Sequence, residues 1–415
     1  MAPVRLDPAA LVRRLPRGGR VLVMGCATES QAIADAVMAA GRDLGGLTFT
    51  GVFVPGINRC TYLANADCRV ETFFMTPELK AAGPDRVRFL PLCYDDIRKW
   101  LAQGPIDAAI MMVSPPDDAG LCSFGVTVDF LAELWPQIPL RLAHINPQMP
   151  RTVGHEAIPF DALDACVELS APLYAATEQG SDDIPNAIAS HIAPHVKDGA
   201  TLQMGLGKVP GAVLRALTER RGLKVHSGLI SDAVLDLLEA GALADGVAVT
   251  AGCAIGSRRL YDMAAHEAFQ FSPVAVTHSV ALIGGIPDFV SINSTMEVDL
   301  LGQCHSEIGA NGLASGPGGA TDYSRAARLS PGGLRIVALP ASAGRGAITR
   351  VVPAGQGAGP VSLGRMDVDL VVTEHGAADL RGKAYHERAE ALIAIAASDH
   401  RDALTASWRD YSTRF

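Results

Sequence analysis

Residues 200–221 read ATLQMGLGKVPGAVLRALTERR. The apolar stretch predicts a buried strand, Gly205-Leu206-Gly207 predicts a tight turn, and Pro210 lies where the first turn of a helix is expected. Outward from this stretch, similar units occur in RVLVMG (20–25) with SQAIADAVMAAGRDL (30–44), DAAIMMVS (107–114) and GVAVTAG (246–252). Such alternation predicts an α/β fold with mainly parallel sheets covered by helices on both faces.

The turn at Gly205 and Gly207 also has a chemical interpretation. A strand that leads through bare glycines into a helix brings free backbone N–H groups and the positive helix end together, which suits an anion or an oxyanion. An ordinary tight turn explains the same residues. The sequence has neither a third glycine in the dinucleotide spacing nor a G-x-x-x-x-G-K-[ST] motif, so it does not indicate a nicotinamide or nucleoside triphosphate site.

Composition indicates a folded globular protein. Of its 415 residues, 48% are hydrophobic and 19% are charged, which excludes a long disordered chain. The formal net charge of −9 argues against nucleic acid as a partner, because such binding needs a concentrated basic surface. The longest uncharged run, residues 268–287, is interrupted by Pro273 and Gly284-Gly285, so buried secondary structure is expected there and no membrane span.

The cysteines point to a reducing compartment. The eight cysteines are far apart and form no C-x-x-C pair, so no zinc or redox motif is predicted and reduced thiols are expected. The first twenty residues lack the apolar core of a secretory signal. We therefore expect a cytoplasmic protein without a metal.

The length predicts two domains, at roughly 100–200 residues each. An apolar run that ends at Ala171-Pro172 gives way to the polar segment 178–183, before a new helix is expected. We place the junction near 175–186, with one α/β domain over 1–178 and a second over 186–415. A crevice between the two is expected.

A second glycine-rich segment, Gly309 to Arg325, is expected to form a loop. Its bare backbone can lie against a ligand, and a surface turn is the alternative explanation. The polar residues before and within it have no metal-ligand spacing. We expect them either in solvent or in structural hydrogen bonds: Asn293, Glu297, Asp299 and Glu307.

Several unusual strings occur in one order along the chain: SPPDDAG (114–120) with GVTVDF (125–130), INPQMPRT (145–152), SINSTMEVDL (291–300) and VVTEHGAADLRGKA (371–384). From about Val21 to Leu404 they make the sequence resemble the acetyl-CoA hydrolase/transferase family, which includes class I CoA-transferases such as the 4-hydroxybutyrate CoA-transferases. The resemblance implies two α/β domains of the class I CoA-transferase type, a homodimer or related oligomer, coenzyme A as substrate or product, and an active site in the crevice between the domains. It assigns CoA contacts to two glycine loops, one with Gly205 and Gly207 and one with Gly316, Gly318 and Gly319.

The sequence departs from the family pattern at two positions. The resemblance implies a catalytic glutamate in a pattern like H-T/S-E-M-x-S-D-G, and the corresponding residues here begin His226-Ser227-Gly228. Gly228 therefore has no nucleophile. Aligning backward from residue 291 places His278 where the resemblance implies an asparagine beside the thioester. We expect His278 and Gly228 to face one site, with His278 as a base, and a packed structural histidine is the alternative.

The resemblance leaves three functions open, of which the first is the main hypothesis and the other two are alternatives. The first is transfer of CoA between an acyl-CoA and a small carboxylate such as acetate. The second is hydrolysis of the thioester by a water that His278 activates. The third is CoA binding without catalysis, because the family glutamate is absent.

Overall fold

The computed structural model describes residues 2–176, 182–309 and 312–415, and it divides into two compact units. Unit 1 comprises Met1–Thr177 and Val249–Thr277, and unit 2 comprises Glu178–Ala248 and His278–Phe415. The range 249–277, which the sequence alone placed in the C-terminal domain, thus packs within unit 1. Residue 178, the expected end of the N-terminal domain, lies outside the described residues.

The helices and strands of unit 1 come from both of its chain segments. They are β1 (Val4–Arg5), α1 (Pro8–Val12), β2 (Arg20–Val23), α2 (Gln31–Ala40), β3 (Thr48–Gly51), β4 (Arg69–Thr72), α3 (Pro77–Ala82), β5 (Val87–Phe89), α4 (Tyr94–Gln103), β6 (Ala108–Val113), β7 (Leu121–Cys122), α5 (Leu131–Leu134), β8 (Leu140–Ile145), β9 (Ile158–Pro159) and β10 (Ala165–Glu168) from the first segment, and β13 (Val249–Ala254), α9 (Arg258–Met263), β14 (Phe269–Phe271) and α10 (Val274–Thr277) from the second.

Unit 1 is built on a sheet in which every neighbouring pair is parallel. Its strand order is β1-β10-β8-β6-β2-β3-β4-β5. All six residues of the central β6 are buried, as expected for a parallel strand covered on both faces. Leu11 of α1 and Ile33 of α2 join Phe49 of β3 in the core. The predicted α/β class with mainly parallel sheets is confirmed.

Unit 2 repeats this architecture with different elements: α6 (Asp183–Ile192), β11 (Thr201–Met204), α7 (Lys208–Ala216), β12 (Lys224–Ile230), α8 (Ala233–Glu239), α11 (Val280–Gly284), β15 (Phe289–Ser294), β16 (Glu297–Asp299), β17 (Cys304–His305), β18 (Ile308–Gly309), β19 (Gly312–Leu313), α12 (Ala320–Leu329), β20 (Leu334–Ala338), β21 (Ser342–Ala343), β22 (Ile348–Thr349), β23 (Val351–Val352), β24 (Leu370–Thr373), β25 (Gly376–Asp379), α13 (Tyr385–Ala394) and α14 (Arg401–Ser412). Within the unit, the strand order of the parallel sheet is β12-β11-β15-β20-β24, and β25 adds an antiparallel strand at the edge. The sequence predicts a loop from Gly309 to Arg325. This prediction is wrong from Ala320 onward, because α12 begins there.

The sheet of unit 2 changes its winding direction at β11. The chain places β12 on one side of β11 and β15 on the other. Such a switch point opens a crevice at the carboxyl ends of the strands, where ligands bind in open α/β sheets. The Gly205-Leu206-Gly207 turn follows β11 at this edge.

The uncharged run 268–287 folds into β14, α10 and α11, in agreement with the predicted buried elements. Ser279 is the N-cap of α11, and its hydroxyl accepts a hydrogen bond from the N–H of Leu282 at 3.4 Å. His278 therefore lies in the single-residue gap between Thr277, which ends α10, and this cap. Among the described residues, no helix is long and apolar enough to cross a membrane.

One acidic residue of unit 1 has an unusual backbone conformation. Asp129 has φ +39° and lines a small cavity beside the ends of β2 and β3. Two hydrogen bonds hold the chain on either side, from Val128 N–H to Gly252 O at 3.0 Å and from Val274 N–H to Asp129 O at 3.1 Å. Burial raises the pKa of the Asp129 carboxyl to about 7, because desolvation penalises its charged form.

We expect Asp129→Asn to have a higher free energy of unfolding than the wild type, by an amount that increases with pH. Between its ordinary pKa and about 7, the carboxyl is protonated in the folded chain and ionised in the unfolded chain, so the wild type loses stability as pH rises through this window. Asparagine does not ionise. The advantage of the variant should grow by an order of 2–4 kcal/mol between about pH 4 and pH 8, measured by denaturant unfolding. Equal pH dependence of the two proteins would contradict this expectation.

Candidate active site

The first predicted glycine loop lies open at the switch point of unit 2. Gly207 has φ +117° and precedes α7, a conformation that side chains rarely adopt. A Cβ at Gly205 or Gly207 would meet no atom within 4 Å. The loop borders a cavity of about 590 Å³ whose lining includes Lys208, Ser294 and Pro340. Bare backbone therefore faces a space large enough for part of a ligand.

Gly228 lies on the strand next to this loop and at the same level. The hydroxyl of Ser227 donates a hydrogen bond to the carbonyl of Met204 at 2.7 Å. Since the two strands are parallel, the residues that follow this pair, Gly228 and Gly205, are neighbours at the carboxyl edge. The structure thus relates the predicted catalytic position to the first glycine loop.

The imidazole of His278 occupies the space beside Gly228. A Cβ built on Gly228 would lie 2.3 Å from Cε1 and 2.6 Å from Nε2 of His278, and 3.0 Å from the hydroxyl oxygen of Tyr323. These distances are shorter than van der Waals contact. Any residue with a side chain at position 228 would compete with His278 for this space.

Gly319 closes the other side of the imidazole. A Cβ on Gly319 would lie 2.8 Å from both Cδ2 and Nε2 of His278, and 2.8 Å from Cε2 of Tyr323. His278 is only 3% exposed. Two glycines thus allow the sheet and the start of α12 to approach one histidine ring from two directions.

The remaining predicted glycines lie on the chain that leads into α12. Gly316 is buried and Gly318 has φ +60°. Upstream, the carbonyl of Glu307 accepts hydrogen bonds from the N–H groups of Ala314 and Ser315. Residues 310 and 311, which belong to the predicted loop, lie outside the described residues. Of the three glycines predicted for the second loop, Gly319 is the one that the structure places beside His278.

The sequence left open whether three acidic residues lie in solvent or make structural hydrogen bonds, and the structure shows hydrogen bonds for all three. Glu297 accepts from the N–H of Ala358 at 2.8 Å, and Asp299 accepts from the N–H groups of Leu301, Gln303 and Gly355. Glu307 accepts from the hydroxyl of Ser362 at 2.9 Å. In the described part of the chain, no group of three or more His, Cys, Asp or Glu side chains is placed to hold a metal ion.

The sheet face beneath α12 carries three polar side chains, of which Asn293 was noted from the sequence but Gln203 and Ser291 were not. The side-chain amides of Gln203 and Asn293 exchange two hydrogen bonds, of 3.4 and 3.3 Å. Phe289 stacks on Tyr323 with ring centroids 6.4 Å apart, so Ser291 and Asn293, two and four residues further along β15, face the same side. The hydroxyl of Ser291 is fully buried and has no hydrogen-bond partner among the described residues. Tyr323 is a further site residue that no motif spacing revealed.

The fold and the site define a class of two-unit α/β proteins related to CoA-transferases. RipA from Yersinia pestis has a similar structure, with a TM-score of 0.92, 29% identity and coverage of 99% of this chain and 98% of that chain. The 4-hydroxybutyrate CoA-transferase from Porphyromonas gingivalis gives a TM-score of 0.82 at 30% identity, covering 100% and 98% of the two chains.

Sequence comparison gives the family. Residues 11–171 match the acetyl-CoA hydrolase/transferase N-terminal domain and residues 256–408 match its C-terminal domain. The 4-hydroxybutyrate coenzyme A transferase of Clostridium kluyveri is 38% identical over 315 residues, covering 72% of each chain. An acetyl-CoA hydrolase of Candida albicans is 28% identical over 273 residues, covering 61% of this chain and 51% of that protein. The chain belongs to the acetyl-CoA hydrolase/transferase family, and the predicted resemblance is confirmed.

We expect Gly228→Ala to destabilise the protein by about 1–3 kcal/mol, the usual cost of overpacking a closed site. The new methyl group would collide with His278, which Gly319 and Tyr323 prevent from moving aside. Gly205→Ala is the matched control, because a Cβ there meets no atom within 4 Å. Urea unfolding measures both variants.

A second substitution separates the collision from other effects. Adding His278→Ala to Gly228→Ala should cost less than the two single substitutions together, since it removes the colliding ring. Equal stability of Gly228→Ala and Gly205→Ala would show that His278 is not confined as described. The same collision applies to Gly228→Glu, which therefore cannot restore a family-type glutamate unless His278 is also replaced.

Proposed function

We propose that the protein hydrolyses acyl-CoA thioesters, with His278 as the group that activates the attacking water. Family membership places the chain among enzymes of acyl-CoA thioester transfer or hydrolysis. The observation that carries the choice of hydrolysis is the imidazole of His278 in the space of a side chain at position 228. A carboxylate nucleophile is thereby replaced by a general base.

The chemistry of an imidazole suits water as the acceptor. His278 would take a proton from water as the water oxygen bonds to the thioester carbon. The C–S bond then breaks, and the proton passes from the imidazole to the departing sulfur of CoA. Backbone N–H groups at the glycine loops would stabilise the negative charge that develops on the carbonyl oxygen.

Transfer of CoA to a small carboxylate such as acetate is the second candidate, and the relatives named as CoA transferases favour it. A carboxylate is already ionised near pH 7 and needs no base. Without a nucleophile at Gly228, its oxygen would attack the thioester directly and form an anhydride with release of CoA thiolate. The thiolate would then attack the acceptor half of the anhydride and release the original acid.

We propose that CoA binds through the two glycine loops, with Gly205 and Gly207 in one and Gly316, Gly318 and Gly319 in the other. The open cavity beside Gly207 supports a ligand at the first loop, and α7 directs its N-terminal N–H groups toward the same edge. The second loop joins the site through Gly319, which contacts His278.

We further propose that the protein is a homodimer, as the family resemblance implies. We also propose a cytoplasmic location, because the eight cysteines are free. Size-exclusion chromatography with light scattering tests the oligomeric state. A monomer at micromolar concentration would contradict the dimer.

We expect His278→Asn to lower kcat for thioester cleavage by roughly 10²–10⁴-fold with a much smaller change in KM, since a general base acts mainly in the transition state. Colorimetric release of free thiol from a series of acyl-CoAs, with and without acetate, measures the rate. Release without acetate supports hydrolysis, whereas dependence on acetate, with a new acyl-CoA in the mass spectrum, supports transfer.

His195→Asn is the matched control, because His195 lies before β11, at the opposite end of the strands from Gly205. It should leave the rate unchanged. A His278→Asn protein with wild-type kcat would assign His278 to packing. Binding of CoA without any turnover by the wild type would instead support the CoA-binding alternative.

A further inference from the structure

We propose that Tyr323 is a positioning residue for His278, which it holds in the orientation needed for acyl-CoA cleavage. This inference rests on the proposed function, because it assigns Tyr323 a part in the same reaction. It rests on three observations, which are the packing of the Tyr323 ring, the position of its hydroxyl group and the two glycines that make room for the pair.

The ring of Tyr323 is fixed between two aromatic neighbours. It is 2% exposed, and its centroid lies 4.8 Å from that of His278 at an interplanar angle of 43°. On another side it stacks on Phe289 at 25°. Tyr323 also lies in the first turn of α12, where its N–H donates to the carbonyl of Gly319 at 3.0 Å. The helix and the sheet therefore fix the ring against the imidazole.

The hydroxyl group of Tyr323 is directed toward the reactive side of the site. Its oxygen lies 3.0 Å from the Cβ position of residue 228, and Nε2 of His278 lies 2.6 Å from the same point. The two polar atoms are thus no further apart than these distances combined, and both lie beside Gly228. A phenol hydroxyl can donate one hydrogen bond and accept another, so it can orient a polar neighbour.

Packing alone does not require this oxygen. Phenylalanine would offer the same ring to Phe289 and His278, and a buried hydroxyl costs free energy of desolvation that its hydrogen bonds only offset. The one atom by which tyrosine exceeds phenylalanine is the atom that reaches toward Gly228. The polar function of Tyr323 is therefore separable from its structural function.

The two glycines explain why the pair fits at this place. A Cβ on Gly228 would meet both the imidazole and the Tyr323 hydroxyl, and a Cβ on Gly319 would meet the imidazole and Cε2 of Tyr323. Both glycines therefore leave room for the same two rings. Among the described residues, His226 is a further titratable side chain on this side of the sheet, where it packs on Phe289 with ring centroids 6.5 Å apart.

The test compares Tyr323→Phe with Tyr385→Phe, a matched control on the partly exposed Tyr385 of α13. Tyr323→Phe should lower kcat roughly 10- to 100-fold, leave KM nearly unchanged and shift the pH profile of kcat, because the imidazole loses its polar neighbour. Its melting temperature should stay near that of the wild type. Wild-type kcat and an unshifted pH profile in Tyr323→Phe would overturn the proposal.

A second readout does not depend on turnover. Titration of histidine-labelled protein by NMR, with His278→Asn used to assign the signal, should show a changed His278 titration in Tyr323→Phe and an unchanged one in Tyr385→Phe. An unchanged titration in both variants overturns the pairing of Tyr323 with His278. A wild-type protein that cleaves no acyl-CoA overturns the proposed function, whatever the NMR titration shows.

Discussion

A Cβ at position 228 and the imidazole of His278 cannot occupy the same space, and this exclusion organises the site in unit 2. With glycine on β12, the histidine between α10 and α11 can approach the sheet. With glycine at the start of α12, the helix can approach the same ring from the other side. The site is thus defined by the absence of two side chains as much as by the presence of one base.

This arrangement depends on the parallel sheet that carries it. Because neighbouring strands run in the same direction, their carboxyl ends lie at one edge, and the turn after β11 and Gly228 of β12 are both found there. The switch of winding direction at β11 opens this edge to a ligand. The buried Gln203 and Ser291 and the half-buried Asn293 lie on the sheet face beneath the same helix and make that face polar.

The sequence was sufficient for the fold class and for the proximity of His278 to Gly228. Alternation of aliphatic and amphipathic stretches predicts the parallel sheets, and two departures from one family pattern indicate one site. Tyr323 was not predicted, because its contact with Gly228 depends on the angle at which α12 crosses the sheet, which has no periodic signature. The assignment of 249–277 to unit 1 was not predicted either, since hydrophobic periodicity identifies a strand and not the partners with which it packs. The backbone of Asp129 depends on hydrogen bonds to distant segments, so its positive φ has no local signal.

The composition of unit 1 from two separate chain segments has a consequence for biosynthesis. Its edge strand at Val4–Arg5 pairs with Ala165 and Cys166, so the first strand to leave the ribosome cannot enter its sheet until about 160 further residues have been made. The unit is then completed only by Val249–Thr277, after β11 and β12 of unit 2 have been synthesised. This chain therefore cannot complete one domain before synthesis of the next begins, as a chain that folds domain by domain from the N-terminus would. A fragment cut at the apparent junction near residue 180 would keep all eight strands of the sheet of unit 1 but would lack the whole second segment of the unit, from β13 to α10.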